Sequence, residues 1–300
     1  MLGFITSIRH HESVKDFSQV ELLLADTIKT LENQTSTNFK FYIVCNKGSN
    51  IKINTTINFE IVEVDMDCPE SVHVIDDESD ERRRQITRKD KGSKFFFGLQ
   101  AAKKDAADFV MFIDADDYIN CNVAEYVNNH INDYDALIVN KGYSYSKTCE
   151  FLGDIQPFNK KCGTCNSYSL KMFDKYPLDQ NFQTQEEIIS AVPNELIFKF
   201  LGSHLNAEHF VESQGGKVGF FPFHAAIYLI GNGQNISKIS DIIGKPVVLT
   251  ESIIKDFVLN ETINHSISTL PLLALYRAKY YSKPKIKRTK QFLAKIKNSF

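Results

Sequence analysis

Three carboxylates stand almost side by side at Asp114, Asp116 and Asp117, directly after the apolar run Phe109–Ile113. Acids at this spacing repel one another unless positive charge lies among them. The simplest partner is a hard divalent cation, Mg²⁺ or Mn²⁺, which prefers oxygen ligands and commonly shares them with substrate phosphates. The first expectation is therefore a metal site that holds a phosphorylated small molecule. The alternative is structural: the aspartates cap the next helix or shape a turn, although one N-cap needs one Asp and not three.

Such a site needs elements to hold it. A short apolar run bounded by polar residues reads as a strand buried on both faces of a parallel sheet. In open α/β sheets, ligands sit in the crevice beyond the carboxyl ends of the strands. Leu2 to Ile8 reads as a first strand, followed by the polar loop Arg9, His10, His11, Glu12 and Ser13. Val20, Leu23, Leu24, Ile28 and Leu31 keep helical spacing. Phe39 to Cys45, closed by Asn46, Lys47 and Gly48, and then Phe59 to Val64, complete a strand–helix–strand alternation that favours crossover connections and a parallel sheet.

Asp76 to Arg84 is a dense charge run, read as a solvated loop or helix face. Gly92 suits a tight turn before a helix that carries Phe95, Leu99, Ala102 and Ala106 on one face. Arg84, Arg88, Lys91 and Lys94 would lie near that helix start, a place suited to diphosphate oxygens; the plain alternative is surface cations on an amphipathic helix. Ala136–Val139, Val218–Phe221 and Ala225–Ile230 read as further strands. A helical stretch opens at Glu186 and Glu187 and breaks at Pro193. Past Ser237 the pattern is helical and without a catalytic constellation.

With 43% hydrophobic and 24% charged residues, the 300-residue chain has ample material for a core. The net charge of −2 hides an asymmetry: from Arg277 onward there are nine basic residues and no acidic ones, which leaves the remainder at −11. An acidic body argues against nucleic acid as a partner, whereas the tail from Lys283, basic and amphipathic, suits peripheral contact with an anionic membrane, a partner surface or a disordered end. The first residues lack the order of a signal peptide and no apolar run reaches spanning length, so a soluble, cytoplasmic protein with reduced thiols at its six cysteines is expected. Cys162 and Cys165 form a lone C-x-x-C, without the further ligands of a zinc site or the setting of a redox motif.

Taken together, these segments resemble the glycosyltransferases of the GT-A fold, the family 2 type in particular, from about Leu2 to Ser237. The resemblance is carried by the opening strand and helix ending in LENQT (Leu31–Thr35) and by FIDADD (Phe112–Asp117). It implies an α/β, Rossmann-like, mixed but mostly parallel sheet flanked by helices, with residues 1–240 as the catalytic domain and 241–300 as a helical extension. It also implies that Asp114 and Asp116 bind the nucleotide-sugar and Mn²⁺ or Mg²⁺, and that Thr6 and Arg9 line the nucleotide pocket. Arg88, with Asp90 and Gly92, is similar to the region that reaches the nucleotide. Residues 161–170 (KCGTCNSYSL) are similar to the loop flanking the sugar and acceptor, and GNGQNIS, Gly231–Ser237, to the segment that closes over the diphosphate.

The sequence departs from that pattern in three places. Asn46 stands where an acid usually pairs with the base. Gly231 and Asn232 stand where a metal-binding His is usual, leaving His204 or His224 as substitutes. The usual catalytic acid pair has no clean counterpart, with Glu186, Glu187, Glu208 and His204 as candidates and Glu187 or His204 favoured as base. The implied reaction is an inverting transfer from a UDP-, GDP- or dTDP-sugar to a hydroxyl of a surface glycan or lipid-linked acceptor. Competing readings are a haloacid-dehalogenase-type phosphatase and a silent nucleotide-sugar binder.

Overall fold

The computed structural model describes residues 1–69, 80–147, 149, 151–232, 242–259 and 269–282. The first strand, β1 (Leu2–Ser7), is followed by α1 (Phe17–Glu32), β2 (Phe39–Asn46), β3 (Phe59–Val64), the long helix α2 (Asp80–Lys104) and β4 (Phe109–Ile113). Next come β5 (Tyr118–Ile119), α3 (Val123–Asn129), β6 (Ala136–Ile138), β7 (Gly142–Tyr145), β8 (Phe151–Ile155) and β9 (Asn166–Ser169). The chain continues through α4 (Gln185–Ala191), a π-helical segment Glu195–Leu201, α5 (Ala207–Glu212), β10 (Val218–Phe220), β11 (Ala226–Leu229), β12 (Lys245–Val248), α6 (Glu251–Phe257) and α7 (Thr269–Ser282).

Seven strands form the main sheet in the order β10-β6-β9-β4-β1-β2-β3. β1 pairs in parallel with β2 and β4, β2 with β3, and β6 with β10; β9 alone runs against its neighbours. This is the mixed, mostly parallel architecture that the sequence leads one to expect. Alternate side chains of each strand serve opposite faces. Phe4, Phe41 and Met111 meet α1 and α3 on one face, while Ile5, Tyr42, Val110 and Phe112 meet α2 and the π-helical segment on the other. Phe95, Phe96 and Leu99 on α2 are buried, each contributing about 1.5–3 kcal/mol by leaving water.

Two expectations change. α2 begins at Asp80, so Gly92 lies inside the helix rather than in a turn before it. Its missing side chain serves a close approach: a Cβ there would sit 2.2 Å from the Ile197 carbonyl oxygen. Arg84, Arg88, Lys91 and Lys94 are therefore mid-helix, and the unpaired N–H groups of a helix start are not what they have to offer.

The second change is a five-stranded sheet, β12-β8-β7-β11-β5. β12 pairs antiparallel with β8, so a strand from beyond residue 240 joins one from before it in the same sheet. Helices α6 and α7 follow. The basic tail 283–300, residues 76–79 of the charge run and Gly233–Ser237 lie outside the described residues. No helix among the described residues is long and apolar enough to cross a membrane.

Candidate active site

Between β1 and β4 the sheet order reverses: β2 and β3 follow on one side, and β9 and β6 on the other. A crevice opens beyond the carboxyl ends of strands at such a switch point. Here it is a cavity of about 430 Å³ whose lining includes Arg9 after β1, Asp114 and Asp116 after β4, Lys91 on α2, Gly163 and His204. Val20 and Leu23 of α1, with Tyr228 of β11, give it an apolar wall.

The acidic loop is fixed from α1. Thr27 is fully buried within the apolar stripe of that helix, and its Oγ1 donates 3.0 Å to the Ala115 carbonyl and 2.9 Å to that of Asp117. One turn on, the Ile119 N–H donates to Thr30 Oγ1 at 3.2 Å. Gln34 follows, donating through Nε2 to Asn120 O and accepting from Ala124 N, both at 2.9 Å. Thr27, Thr30 and Gln34, the last within LENQT, thus cradle the loop.

The three acids part company. Asp117 is wholly buried and accepts from the Leu229 N–H (3.0 Å), the Cys162 thiol (3.0 Å) and Thr164 Oγ1. Burial, then its neighbours Asp116 and Asp114, push its carboxyl well above the usual range. Asp114 is paired with the Lys91 ammonium, and its N–H donates to Thr164 Oγ1 at 2.8 Å. Asp116 accepts from Asn232 Nδ2 at 2.7 Å. Burial, and then the charge on Asp114, push Asp116 up to about 6.

The basic side is held just as firmly. Lys94 is fully buried, donating 2.8 Å to the Ile8 carbonyl and pairing with Asp90 at 2.9 Å. That bond pins the end of β1 and so places Arg9. Burial draws the Arg9 guanidinium below its usual range, with Asp116, Asp90 and Asp114 opposing. Lys91, one turn before Lys94, is the cation that the acidic triplet requires, and Asp114 raises its pKa against the effect of burial.

Of the expected base candidates, His204 lines the cavity. Burial, then the nearby Lys91, lower it to about 4, so it is neutral at physiological pH. Glu187 is elsewhere: its carboxylate accepts from the Gln183 and Thr184 N–H groups in the capping box of α4. It is a helix cap and lines a separate surface hollow, because the sequence that caps a helix also supplies an acid at its third position. His224, expected as a substitute metal ligand, also lies apart from the cavity lining. Its Nε2 is 3.1 Å from Asp154 Oδ1, and its ring stacks on Tyr143 with centroids 4.1 Å apart.

Three nucleotide-site candidates are not part of the cavity lining. Thr6 is fully buried with an unpartnered Oγ1, one residue before the lining Ser7. Asn46 turns back to donate 2.8 Å to the Met66 carbonyl. Arg88 offers its backbone to the close approach of Gly202, and its charge helps to depress His204. What the sequence reading missed is Thr27, Thr164, Gly163 and the specific roles of Lys91 and Lys94. Thr27 leaves a signal, a polar residue in an apolar helical stripe. Gly163 and Thr164 lie in the loop 161–170 that the resemblance sets beside the site, and Lys91 and Lys94 among the cations suited to diphosphate, but their individual partners leave no signal.

Around the acidic loop, two sets of ligand atoms invite a cation. Asp114, Asp117 and Cys162 lie within 4.8 Å of one another, but Asp117 already accepts three bonds and burial keeps the Cys162 thiol protonated. That group is a hydrogen-bonded knot. Asp114 and Asp116 fit better, as hard oxygen donors on the cavity surface. Space is left above them because residue 163 is glycine: a Cβ there would lie 2.5 Å from Asp114 Oδ2.

No family model matches the sequence, and no curated protein matches it. Among solved structures, the chain is similar to TarS of S. aureus in complex with UDP-GlcNAc, at 13% identity and a TM-score of 0.41 over 76% of this chain. It spans 58% of the length of that TarS chain. It is also similar to a cytidylyltransferase from Leptospira borgpetersenii, at 11% identity and a TM-score of 0.37, covering 75% of this chain and 76% of that one. A Mycobacterium tuberculosis protein in complex with manganese is similar at 8% identity and a TM-score of 0.34, covering 76% and 90% of the two chains. Identities and scores this low leave the chemistry of the site to be read from its own residues.

Proposed function

We propose that the protein is a glycosyltransferase that takes a sugar from a nucleotide-sugar and passes it to a hydroxyl acceptor. One observation carries this reading: Asp114, Asp116, Arg9 and Lys91, the last paired with Asp114, line one cavity at the switch point of the sheet. Interleaved acids and bases there suit a diphosphate together with its cation. Asp114 and Asp116 would hold Mn²⁺ or Mg²⁺. When bound, the cation offsets the charge that gathers on the leaving diphosphate. Arg9 and Lys91 bind phosphate oxygens from the other side, and the apolar wall of Val20, Leu23 and Tyr228 excludes water.

His204, neutral and in the same cavity, takes the proton of the acceptor hydroxyl as it attacks. A pKa near 4 makes it a weak base in the free protein. The negative diphosphate raises that value on arrival, because a nearby opposite charge favours the imidazolium. A single displacement of this kind inverts the anomeric carbon. The donor is expected among UDP-, GDP- and dTDP-sugars, and the acceptor among surface glycans or lipid-linked saccharides. The basic tail would bring the protein to anionic lipid, and deleting residues from Lys283 onward should weaken binding to anionic vesicles.

The test is to incubate the protein with UDP-, GDP- and dTDP-sugars and Mn²⁺. Release of nucleoside diphosphate, lost in Asp116→Asn, supports the transferase. Phosphate release from small phosphoesters in place of it would support a phosphatase. Tight binding without any turnover would reduce the protein to a binder.

A further inference from the structure

Lys91 is not a loose surface lysine that happens to meet an acid. Its ammonium is paired with Asp114 Oδ1 and stands 5.3 Å from the centroid of the Phe95 ring. Phe95 is itself stacked on Phe112 of β4, with centroids 4.6 Å apart. Helix α2 is seated against the π-helical segment at Gly92. The cation is thus held by packed elements, directly on one of the two carboxylates best placed for a divalent ion. Both cannot occupy the same face of Asp114.

Resting on the function proposed above, we propose that Lys91 is a placeholder counter-ion. In the ligand-free protein its ammonium occupies the direction on Asp114 that a divalent cation needs. When a nucleoside diphosphate arrives with its cation, the metal takes Asp114 and the ammonium passes to a phosphate oxygen. No bond is made or broken and no proton moves; two ion pairs exchange partners. The protein therefore takes up its metal as the nucleotide complex, and free metal competes poorly with Lys91. The cleft keeps its charge balance in both states, so the acids do not need a resident ion between turnovers.

The measurement is calorimetric titration of free Mn²⁺, and of Mn²⁺ with UDP, GDP or dTDP, into the wild type and Lys91→Met. Methionine retains the apolar stem over Phe95 and deletes the charge. The expected result has two opposite signs: about tenfold tighter binding of free Mn²⁺, and at least about tenfold weaker binding of the Mn²⁺–nucleotide complex, within the usual range of coupling between sites. A merely structural lysine would lower both. Lys91→Gln serves as the second variant, and thermal unfolding shows that each is folded. Free Mn²⁺ affinity that is unchanged or weaker in both folded variants overturns the placeholder, even if nucleotide still binds. A wild type that binds none of the three nucleotides with Mn²⁺ overturns instead the function on which the exchange depends.

Discussion

Replacing Asp116 by asparagine should make the ligand-free protein more stable while abolishing its activity. Burial and the charge of Asp114 raise the Asp116 carboxyl from 3.8 to about 6. At about 1.4 kcal/mol per tenfold change in proton affinity, that rise is worth roughly 3 kcal/mol. Between these two values the folded chain holds the proton more tightly than the unfolded chain. Stability therefore falls as pH climbs through the window from about 4 to 6, and the full penalty is present above it. Asparagine carries no charge at any pH and its side-chain oxygen can still accept from Asn232. The gain over wild type should approach 3 kcal/mol at pH 7.5, shrink through pH 5 and vanish near pH 4. Urea unfolding at these three values, with Mn²⁺ removed by chelation, measures it. A variant less stable than wild type at pH 7.5, or a gain that does not change with pH, would refute the electrostatic account of the acidic loop.

Other perturbations test the scaffold and the chemistry. Lys94→Met leaves the Ile8 carbonyl and Asp90 without their buried partner and should cost about 3 kcal/mol or more in urea unfolding. Two glycine-to-alanine changes should separate fold from site. In Gly92→Ala the new Cβ meets a rigid backbone oxygen at 2.2 Å, destabilising the fold by about 1–3 kcal/mol. In Gly163→Ala it meets the ends of the Asp114 and Lys91 side chains at 2.5 and 2.9 Å; melting should barely change while nucleotide affinity falls about tenfold, or ~1.4 kcal/mol. With Asp116 raised to about 6 and His204 lowered to about 4, kcat/KM should fall first as pH drops through 6, where Asp116 takes a proton, and more steeply toward 4, where His204 does, with the histidine limb for kcat displaced upward by bound diphosphate. His204→Gln should lower kcat about 100-fold or more, and a variant that keeps kcat within about twofold of wild type would remove the histidine from the base role.

Most of the large sheet was legible because β1, β2, β4 and β6 are dominated by apolar residues and its helices are periodic, whereas its polar strand β9, NSYS (Asn166–Ser169), left no such signal. Phe109–Ile113 admits no other reading, and the acids that follow it mark the carboxyl edge by themselves. The small sheet was not, because GYSY (Gly142–Tyr145), FLGDI (Phe151–Ile155) and Tyr118–Ile119 are short and mix glycine or hydroxyls with their apolar residues. Their partners lie far along the chain: β5 pairs with β11, and β8 with β12. The site divided along the same line. Asp114, Asp116, Arg9 and His204 line one cavity. Glu187 misled because an acid at a helix start serves the backbone as readily as a substrate. The pairing of Lys91 with Asp114 joins residues 23 positions apart, a contact that only the docking of α2 decides.

One feature of the acidic loop reaches beyond its charge. Asp114 hangs from the last residue of β4 in the seven-stranded sheet, whereas Tyr118 already belongs to the five-stranded one, and the Leu229 N–H of that same sheet grips Asp117. The loop is a short tether between two leaves. Any breathing of one leaf against the other must alter the gap between Asp114 and Asp116, so a ligand that bridges both acts as a staple across the molecule. Its arrival should slow amide exchange in Ala226–Leu229, whose paired backbone belongs to the smaller leaf.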